Sequence, residues 1–347
     1  MKTLQDLLDE STKEAELLHQ EGERIRCVAC AHRCLLRDGQ RGICKVRYVE
    51  NGVLRVPWGY VGALQLDPIE KKPFFHVLPG TTALSFGMLG CDYHCGYCQN
   101  WFTSQALRDP EAKPDKLVVS AEDLVRETLR NKSRTLISTY NEPLITSEWA
   151  KHIFEAANRA GLLTGYVSNG NATREVLEYI RPVVRLYKVD LKGFQPSHYA
   201  QLGGKLQSVL DTIRWLHEMG FWVEIVTLVV PGFNDSEAEL KDIASFLFSV
   251  SPDIPWHVTA FHPDYKMSDR DYTPAKTLIQ AAEVGKKIGL HYVYVGNLPG
   301  SVDSWENTYC HSCHQLLIKR IGFTILENFL DGNSCPKCHT RIPGIWE

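Results

Sequence analysis

The sequence predicts an α/β protein, a partial (β/α)6-type barrel that carries a cysteine-rich segment at one end of the chain and a small ribbon at the other. Short apolar runs alternate with amphipathic helical stretches between residues 83 and 295. Polar residues collect where the apolar runs end, and the 11 cysteines fall into groups of four, three and four. Alternation of this kind is typical of a parallel sheet with right-handed crossovers.

Size and composition indicate a globular protein. The chain has 347 residues, of which 44% are hydrophobic, and a net charge of −3. The sequence contains neither an apolar run of membrane-spanning length nor a hydrophobic signal core at its start, so we expect a cytoplasmic protein without a membrane partner. An odd number of cysteines in such a chain disfavours a disulfide framework and favours metal sites.

We predict three units along the chain. Residues 1–66 are expected to hold an amphipathic helix over residues 3–20, a four-cysteine cluster and a hairpin that turns at Asn51-Gly52. Residues 67–300 form the partial barrel, and residues 301–347 form the ribbon. The loop-like stretch from Asp67 to Pro73 leads into the first barrel strand.

The N-terminal cysteines are spaced C-x2-C-x3-C-x9-C, at Cys27, Cys30, Cys34 and Cys44. Sites made only of cysteine suit zinc as well as iron–sulfur clusters, so the spacing leaves a structural zinc and an electron-relaying cluster both open. The segment from Arg24 to Arg47 is rich in Lys and Arg, which we interpret as a solvated basic face. We do not expect a nucleic acid partner.

The central loop follows an apolar strand run over residues 83–89 and precedes a helix start. Its spacing is C-x3-C-x2-C, at Cys91, Cys95 and Cys98, with Tyr97 just before the third cysteine. Three thiolates can bind three irons of a [4Fe-4S] cluster and leave one iron open. That iron can chelate S-adenosylmethionine (SAM), so that one electron releases a 5′-deoxyadenosyl radical. A structural zinc site is the alternative, and the strand–loop–helix context favours the cluster.

Strands and helices alternate beyond this loop. The predicted helices are 120–131, 146–160, 172–180, 205–218, 236–249 and 275–287. The predicted strands are 135–140, 164–168, 186–191, 222–230, 256–261 and 292–295. Together with the strand before the cysteines they make six βα units and a further strand.

Functional groups of such an architecture lie at the C-terminal ends of the strands. Candidates at these ends are Asn141, Glu142, Ser168, Asn169, Asp190, Lys192 and His262. Lys188, Asp190 and Lys192 are spaced by two and therefore share one face of their strand, where they either bind a ligand or form a salt-bridge ladder. Glu142 has the charge to meet a methionyl ammonium, and Lys192 or His262 a carboxylate.

The C-terminal unit contains two CxxC pairs. Cys310 and Cys313 are followed, after 21 intervening residues, by Cys335 and Cys338. Strand-like runs at 316–319 and 323–327 lie between the pairs. This spacing is typical of a zinc ribbon, with a redox iron site as the alternative.

Together these motifs resemble those of radical SAM enzymes related to pyruvate formate-lyase activating enzyme, over about residues 80–265. The segments that carry the resemblance are the central cysteine loop, Tyr140–Pro143, Ser168–Gly170, Asp190–Lys192, Val230–Gly232 and Phe261–His262. The stretches Asp67–Pro73, Cys98–Trp101 and Cys27–Cys44 further resemble the radical SAM member of the AmmeMemoRadiSam system. Activating enzymes commonly have Gly-Gly where this chain has Tyr140-Asn141, and an acidic residue at the position of Val167.

The resemblance implies reductive SAM cleavage and hydrogen abstraction from an unidentified substrate. It implies Cys91, Cys95 and Cys98 as cluster ligands, and Glu142 or its neighbours on the SAM amino group. The remaining cofactor candidates are Tyr97, Asn141, Ser168, Asn169, Asp190, Lys192 and His262. The implied partners are a small reductant protein such as flavodoxin or ferredoxin, and AMMECR-type and Memo-type proteins. Activation of a glycyl-radical enzyme is one alternative function, and an iron–sulfur electron carrier or an RNA-binding zinc-ribbon protein is another.

Overall fold

The computed structural model describes residues 2–347, and its N-terminal part combines a short helix with small antiparallel sheets. Helix α1 spans Leu4–Asp9 and begins at a capping box in which Thr3 and Asp6 exchange hydrogen bonds. The strands that follow are β1 (Thr12–Glu14), β2 (Leu18–Glu21), β3 (Arg24–Cys27), β4 (Leu35–Leu36), β5 (Tyr48–Glu50) and β6 (Val53–Pro57). Strands β5 and β6 form a hairpin around Asn51 and Gly52.

The predicted helix over residues 3–20 is wrong beyond Asp9. Strand β1 pairs with β6, and β2 pairs with β3, both in antiparallel fashion. Ala15 and Leu17 are buried in alternation, and Glu148 accepts hydrogen bonds from the backbone amides of Glu16 and Leu17. Pairing with distant segments therefore overrides the local preference for a helix.

The middle of the chain builds an eight-stranded, mostly parallel sheet. Its elements are β7 (Tyr60–Val61), β8 (Ala63–Pro68), β9 (Thr82–Gly87), α2 (Trp101–Ser104), β10 (Leu117–Val118), α3 (Ala121–Arg130), β11 (Thr135–Ser138), α4 (Ser147–Arg159), β12 (Leu163–Ser168), α5 (Arg174–Ile180), β13 (Leu186–Asp190), α6 (Pro196–Leu202), α7 (Leu206–Glu218), β14 (Trp222–Val229), α8 (Glu237–Val250), β15 (Trp256–Ala260), α9 (Ala275–Ile288) and β16 (Val293–Gly296). Strands β7 and β10 form a separate antiparallel pair.

The sheet order is β16-β15-β14-β13-β12-β11-β9-β8, and every neighbouring pair except β8–β9 is parallel. The predicted α/β class with a parallel central sheet is confirmed. Strand β8 was not predicted, because part of it lies in the stretch from Asp67 to Pro73 that reads as a loop. Since the order follows the chain, the loops after β9, β11, β12 and β13 emerge side by side at one edge.

A buried carboxylate joins the sheet to the C-terminal unit. It lies near the N-terminal end of its strand, at the end of the sheet opposite the cysteine loop. Glu224 on β14 accepts hydrogen bonds from the backbone amides of Phe75 and His76 at 2.9 Å, and it contacts His257 Nε2 at 2.7 Å. The His76 ring contacts the Tyr294 hydroxyl and the Pro343 carbonyl, each at 2.6 Å. The C-terminal unit itself contains β17 (Thr308–Tyr309), β18 (Leu316–Ile321) and β19 (Thr324–Asn328).

Across residues 2–347, each helix is too short or too polar to cross a bilayer.

Candidate functional site

The central cysteine loop begins four residues after β9 ends. Gly90 has a φ angle of +91°, and a Cβ atom there would lie 2.8 Å from the Val46 side chain. Only glycine meets both conditions, so the turn into the loop depends on it. Cys95 is buried, whereas Cys91 and Cys98 are half-buried.

Hydrogen bonds from several elements hold this loop in place. The His94 amide donates to the Leu202 carbonyl at 3.0 Å. The side chains of Gln105 and Arg108 donate to the Tyr93 carbonyl at 3.2 and 2.8 Å. Because the loop backbone is fixed by its neighbours, its three thiols are held in position for a shared ligand.

Glu142, which follows β11, is buried at the same edge of the sheet. Its carboxyl accepts hydrogen bonds from the Ser168 hydroxyl and the Asn169 amide, each at 2.7 Å. Burial, and then the charge of Asp92, raise the pKa of Glu142 to about 8. A cation that binds beside this carboxyl would favour its charged form, so the site suits an ammonium group.

Asp92 anchors the site, although nothing in the sequence beyond its place next to Cys91 marked it. It is fully buried and accepts hydrogen bonds from the side-chain amides of Asn169 at 2.7 Å and Asn171 at 2.8 Å. Asn169 Oδ1 in turn accepts a bond from the Asn171 backbone amide at 2.9 Å. This network joins the cysteine loop to the end of β12.

Lys188, Asp190 and Lys192 form the salt-bridge arrangement that was the alternative to ligand binding. Asp190 contacts the Lys188 ammonium through Oδ1, and it contacts Lys192 Nζ through Oδ2 at 3.1 Å. Burial raises the pKa of the Cys95 thiol to about 12, and the Lys192 charge opposes this rise. The ion pairs thus place a positive charge near the cysteine loop.

A cavity of about 90 Å³ brings most of the candidates together. Its lining includes Cys91, Cys95, Cys98, Asn141, Glu142, Ser168, Asn169, Asp190 and Lys192. Two candidates lie outside this lining, since Tyr97 packs against Phe233 and His262 is exposed. Lining residues that were not selected as candidates are Tyr93, Asn100, Ser104, Gln105, Thr139, Tyr140 and Val167.

Tyr140 was detectable in the sequence as a departure from the Gly-Gly of activating enzymes. Its φ angle is +68°, a conformation that a residue with a side chain seldom adopts. Its hydroxyl lies 2.9 Å from both Lys72 Nζ and Ser85 Oγ, so hydrogen bonds compensate the strain. The tyrosine therefore fills space that glycine would leave empty.

The donor set of the cavity fits a [4Fe-4S] cluster together with SAM. Three thiols face the cavity without a further cysteine or a histidine in its lining, which matches a cluster with one open iron. Around them stand two carboxyls, several carboxamides and an ammonium, which are the groups needed to bind an amino acid moiety and a ribose.

The C-terminal cysteines converge into a group that could hold a metal ion. Atoms Sγ of Cys310, Cys313, Cys335 and Cys338 all lie within 4.8 Å of one another, and two of the sulfur pairs are 3.6 Å apart. Four sulfurs around one zinc at about 2.3 Å are about 3.8 Å apart, so the spacing fits a single ion. The Thr340 side chain and then its backbone lower the pKa of Cys338 to about 6, which favours the thiolate.

The N-terminal cysteines lie against the central loop. Cys27, Cys30 and Cys44 are buried and Cys34 is half-buried. Burial raises the pKa of Cys44 to about 11, and backbone amides of Val46 and Arg47 oppose the rise by donating to its sulfur. Within residues 2–347, the C-terminal cysteines are the single group of three or more such ligands whose ligand atoms all lie within 4.8 Å of one another. The N-terminal sulfurs do not meet this distance.

Comparison with known proteins gives three relevant matches. Residues 87–247 match the family model of the radical SAM superfamily. The chain is 35% identical over 326 residues to an uncharacterized protein of Methanocaldococcus jannaschii, a match that covers 93% of this chain and 96% of that protein. It is 24% identical over 200 residues to the pyruvate formate-lyase-activating enzyme of Staphylococcus aureus, covering 53% of this chain and 76% of that enzyme.

Among solved structures, a radical SAM methyltransferase from Sphaerobacter thermophilus matches with a TM-score of 0.50 at 15% identity. The match covers 69% of this chain and 71% of that one. At this identity the likeness concerns the fold alone.

Proposed function

We propose that this chain, whose residues 87–247 match the family model of the radical SAM superfamily, cleaves SAM reductively at a [4Fe-4S] cluster held by Cys91, Cys95 and Cys98. When bound, the cluster and SAM supply a 5′-deoxyadenosyl radical that abstracts a hydrogen atom from an organic substrate. The observation that carries the proposal is the convergence of three thiols and the strand-end polar groups on one cavity at the edge of the sheet.

The chain's own residues bind and orient the cofactor in this proposal. The Glu142 carboxyl, fixed by Ser168 and the Asn169 backbone, would bind the amino group of SAM. Lys192, which Asp190 holds beside the cysteine loop, would bind the SAM carboxylate. The Asn169 side chain, fixed by Asp92, is available to the ribose.

A loop over residues 262–272 packs against the cysteine loop, where it would limit access of water. Its two ends are joined where Thr273 and Phe261 exchange hydrogen bonds. The Lys266 amide donates to the Gly96 carbonyl at 2.9 Å. The Tyr265 ring stacks on Trp101 with centroids 5.2 Å apart. Shielding of this kind protects a reactive radical from side reactions.

Activation of a glycyl-radical enzyme is a second candidate. The similarity to the Staphylococcus aureus activating enzyme favours it, whereas the bulky Tyr140 in the cavity lining distinguishes this chain. We further propose flavodoxin or ferredoxin as the electron donor. Association with AMMECR-type and Memo-type proteins is a proposal that rests on the resemblance of residues 67–73, 98–101 and 27–44.

Formation of 5′-deoxyadenosine tests the proposal. Anaerobically reconstituted protein with dithionite and SAM is expected to form it, and a Cys95→Ala variant is not, because this change removes a cluster ligand. A Cys338→Ala variant is the matched control and should remain active, since that cysteine belongs to the other metal site. Absence of product from the unmodified protein, or equal product from Cys95→Ala, contradicts the proposal.

The glycyl-radical alternative has its own readout. If the chain is an activase, a partner enzyme encoded beside it acquires a glycyl radical signal in electron paramagnetic resonance after incubation with SAM and reductant. SAM cleavage without such a signal restricts the function to another substrate.

A further inference from the structure

The four N-terminal cysteines are near neighbours in the fold. The turn between β3 and β4 brings Cys27 and Cys34 together, with the Cys27 amide donating to the Cys34 carbonyl at 2.9 Å. Gly42 lies beside both Cys34 and Cys44, since a Cβ atom there would be 3.6 Å from Cys34 Sγ and 3.8 Å from Cys44 Sγ. The two sulfurs therefore lie on the same side of the loop that contains Gly42.

The spacing of these sulfurs distinguishes them from the C-terminal set. Within residues 2–347, no three N-terminal cysteines have all their sulfurs within 4.8 Å of one another, whereas all four C-terminal cysteines do. One zinc holds its four sulfurs about 3.8 Å apart, because all of them bond the same ion at about 2.3 Å. A [4Fe-4S] cluster holds them farther apart, because each sulfur bonds a different iron. Among the described residues, the sulfurs of Cys91, Cys95 and Cys98 likewise do not all lie within 4.8 Å of one another.

A buried donor without a partner lies near the same cysteines. Arg47 is 1% exposed, and its two terminal nitrogens are held by Glu148 at 2.9 and 2.5 Å. Within residues 2–347 its Nε atom has no hydrogen-bond partner. The guanidinium lies close enough to Cys27 and Cys44 to interact electrostatically with both. A cluster sulfide would accept the bond from Nε, and the arginine charge would stabilise the anionic cluster.

The N-terminal site and the central loop share a wall. His32 Nε2 lies 3.2 Å from the Asp92 carbonyl, and the Ala31 amide donates to the Asn171 carbonyl at 2.8 Å. Arg108 joins the two cysteine loops, since it donates to the Ile43 carbonyl at 2.5 Å and to the Tyr93 carbonyl at 2.8 Å. A structural zinc requires no such contact, whereas electron transfer between two clusters requires proximity.

We propose that Cys27, Cys30, Cys34 and Cys44 bind a second [4Fe-4S] cluster that relays electrons to the cluster of the central loop. An external one-electron donor reduces the N-terminal cluster. One electron then passes to the central cluster, so that the first is reoxidised and the second reduced, with no bond or proton exchanged. The relay role rests on the function proposed above, whereas the identity of the metal does not.

Metal analysis of the unmodified, anaerobically reconstituted chain tests the metal assignment. We expect about eight irons and about one zinc per chain. A Cys30→Ala/Cys44→Ala variant should lose about four irons and keep its zinc, and a Cys313→Ser/Cys335→Ser control should lose zinc and keep its iron. About four irons and two zincs in the unmodified chain would overturn the assignment. The metal count of the unmodified chain does not depend on whether a variant folds.

Electron delivery tests the relay. With reduced flavodoxin as donor, we expect Cys30→Ala/Cys44→Ala to form 5′-deoxyadenosine about tenfold more slowly or worse, and with dithionite to stay within about twofold of the unmodified chain. Equal rates with flavodoxin, or an equal loss with both donors while the central cluster is intact, would overturn the relay. If the unmodified chain with dithionite forms no product, the proposed function fails, and the iron count still decides the metal.

Discussion

Replacing Asp92 with Asn removes one of the two acceptor atoms that hold Asn169 and Asn171. The change keeps the shape of the side chain but replaces one carboxylate oxygen with an Nδ2 group, which is a donor. This donor would face the side-chain Nδ2 group of Asn169 or Asn171, which is also a donor. Asn169 cannot turn its amide over without losing the bond that its Oδ1 accepts at 2.9 Å. The bond to Asn169 becomes neutral, and the bond to Asn171 either is lost or forces the Asn171 amide to turn over. Either outcome takes the Asn171 Nδ2 group away from its acceptor. These losses amount to about 2–4 kcal/mol.

We therefore expect the free energy of unfolding of the Asp92→Asn variant to fall by about 2–4 kcal/mol. SAM binding should weaken by about tenfold or more, because Asn169 is no longer held beside Glu142. Urea unfolding followed by circular dichroism measures the first effect, and equilibrium dialysis with metal-loaded protein measures the second. Asp115→Asn is the matched control, since Asp115 is exposed. Unchanged stability together with unchanged SAM affinity would refute an anchoring role for Asp92.

Three further predictions concern the remainder of the molecule. Burial lowers the pKa of His76 to about 4, so the unfolded chain binds a proton first as pH falls. The neutral histidine contributes about 3 kcal/mol to the free energy of unfolding above pH 6.5, and this contribution is lost as the pH falls toward 4. In a His76→Gln variant, the urea midpoint should therefore depend less on pH between pH 6.5 and pH 4. Glu224→Gln leaves buried donors facing an amide and should destabilise the fold by about 2–4 kcal/mol, whereas Glu218→Gln, at an exposed carboxyl, should cost less than about 0.5 kcal/mol. Chelation of zinc should increase hydrogen exchange in residues 309–347 without releasing iron, and retained protection would contradict a structural metal there.

Much of the fold was predictable, because apolar periodicity records which segments are buried strands and which are amphipathic helices. Strand β12, predicted over residues 164–168, spans Leu163–Ser168. The failures occurred where a segment is structured by distant partners. Residues 12–21 form strands because β3 and β6 pair with them, and β8 is a strand because β9 offers it an edge.

The candidate site was predictable to a similar degree. Nine of its candidates line one cavity, since strand ends in a parallel sheet meet at one edge. His262 and Tyr97 lie outside that lining, because spacing along the chain does not report the direction of a side chain. Asp92 escaped selection, since its role depends on partners 77 and 79 residues away.

The sequence by itself determined the chemistry available to this protein. The cysteine spacing and the polar residues at strand ends are local features of the sequence. They can be read without knowing how the chain packs. Only the tertiary structure decided which groups meet, as Arg47 and Glu148 do across 101 residues of chain. It also decided that the C-terminal sulfurs are close enough for a single ion and that the N-terminal sulfurs lie against the central loop. Such contacts depend on strand register and loop closure, which no short stretch of sequence specifies.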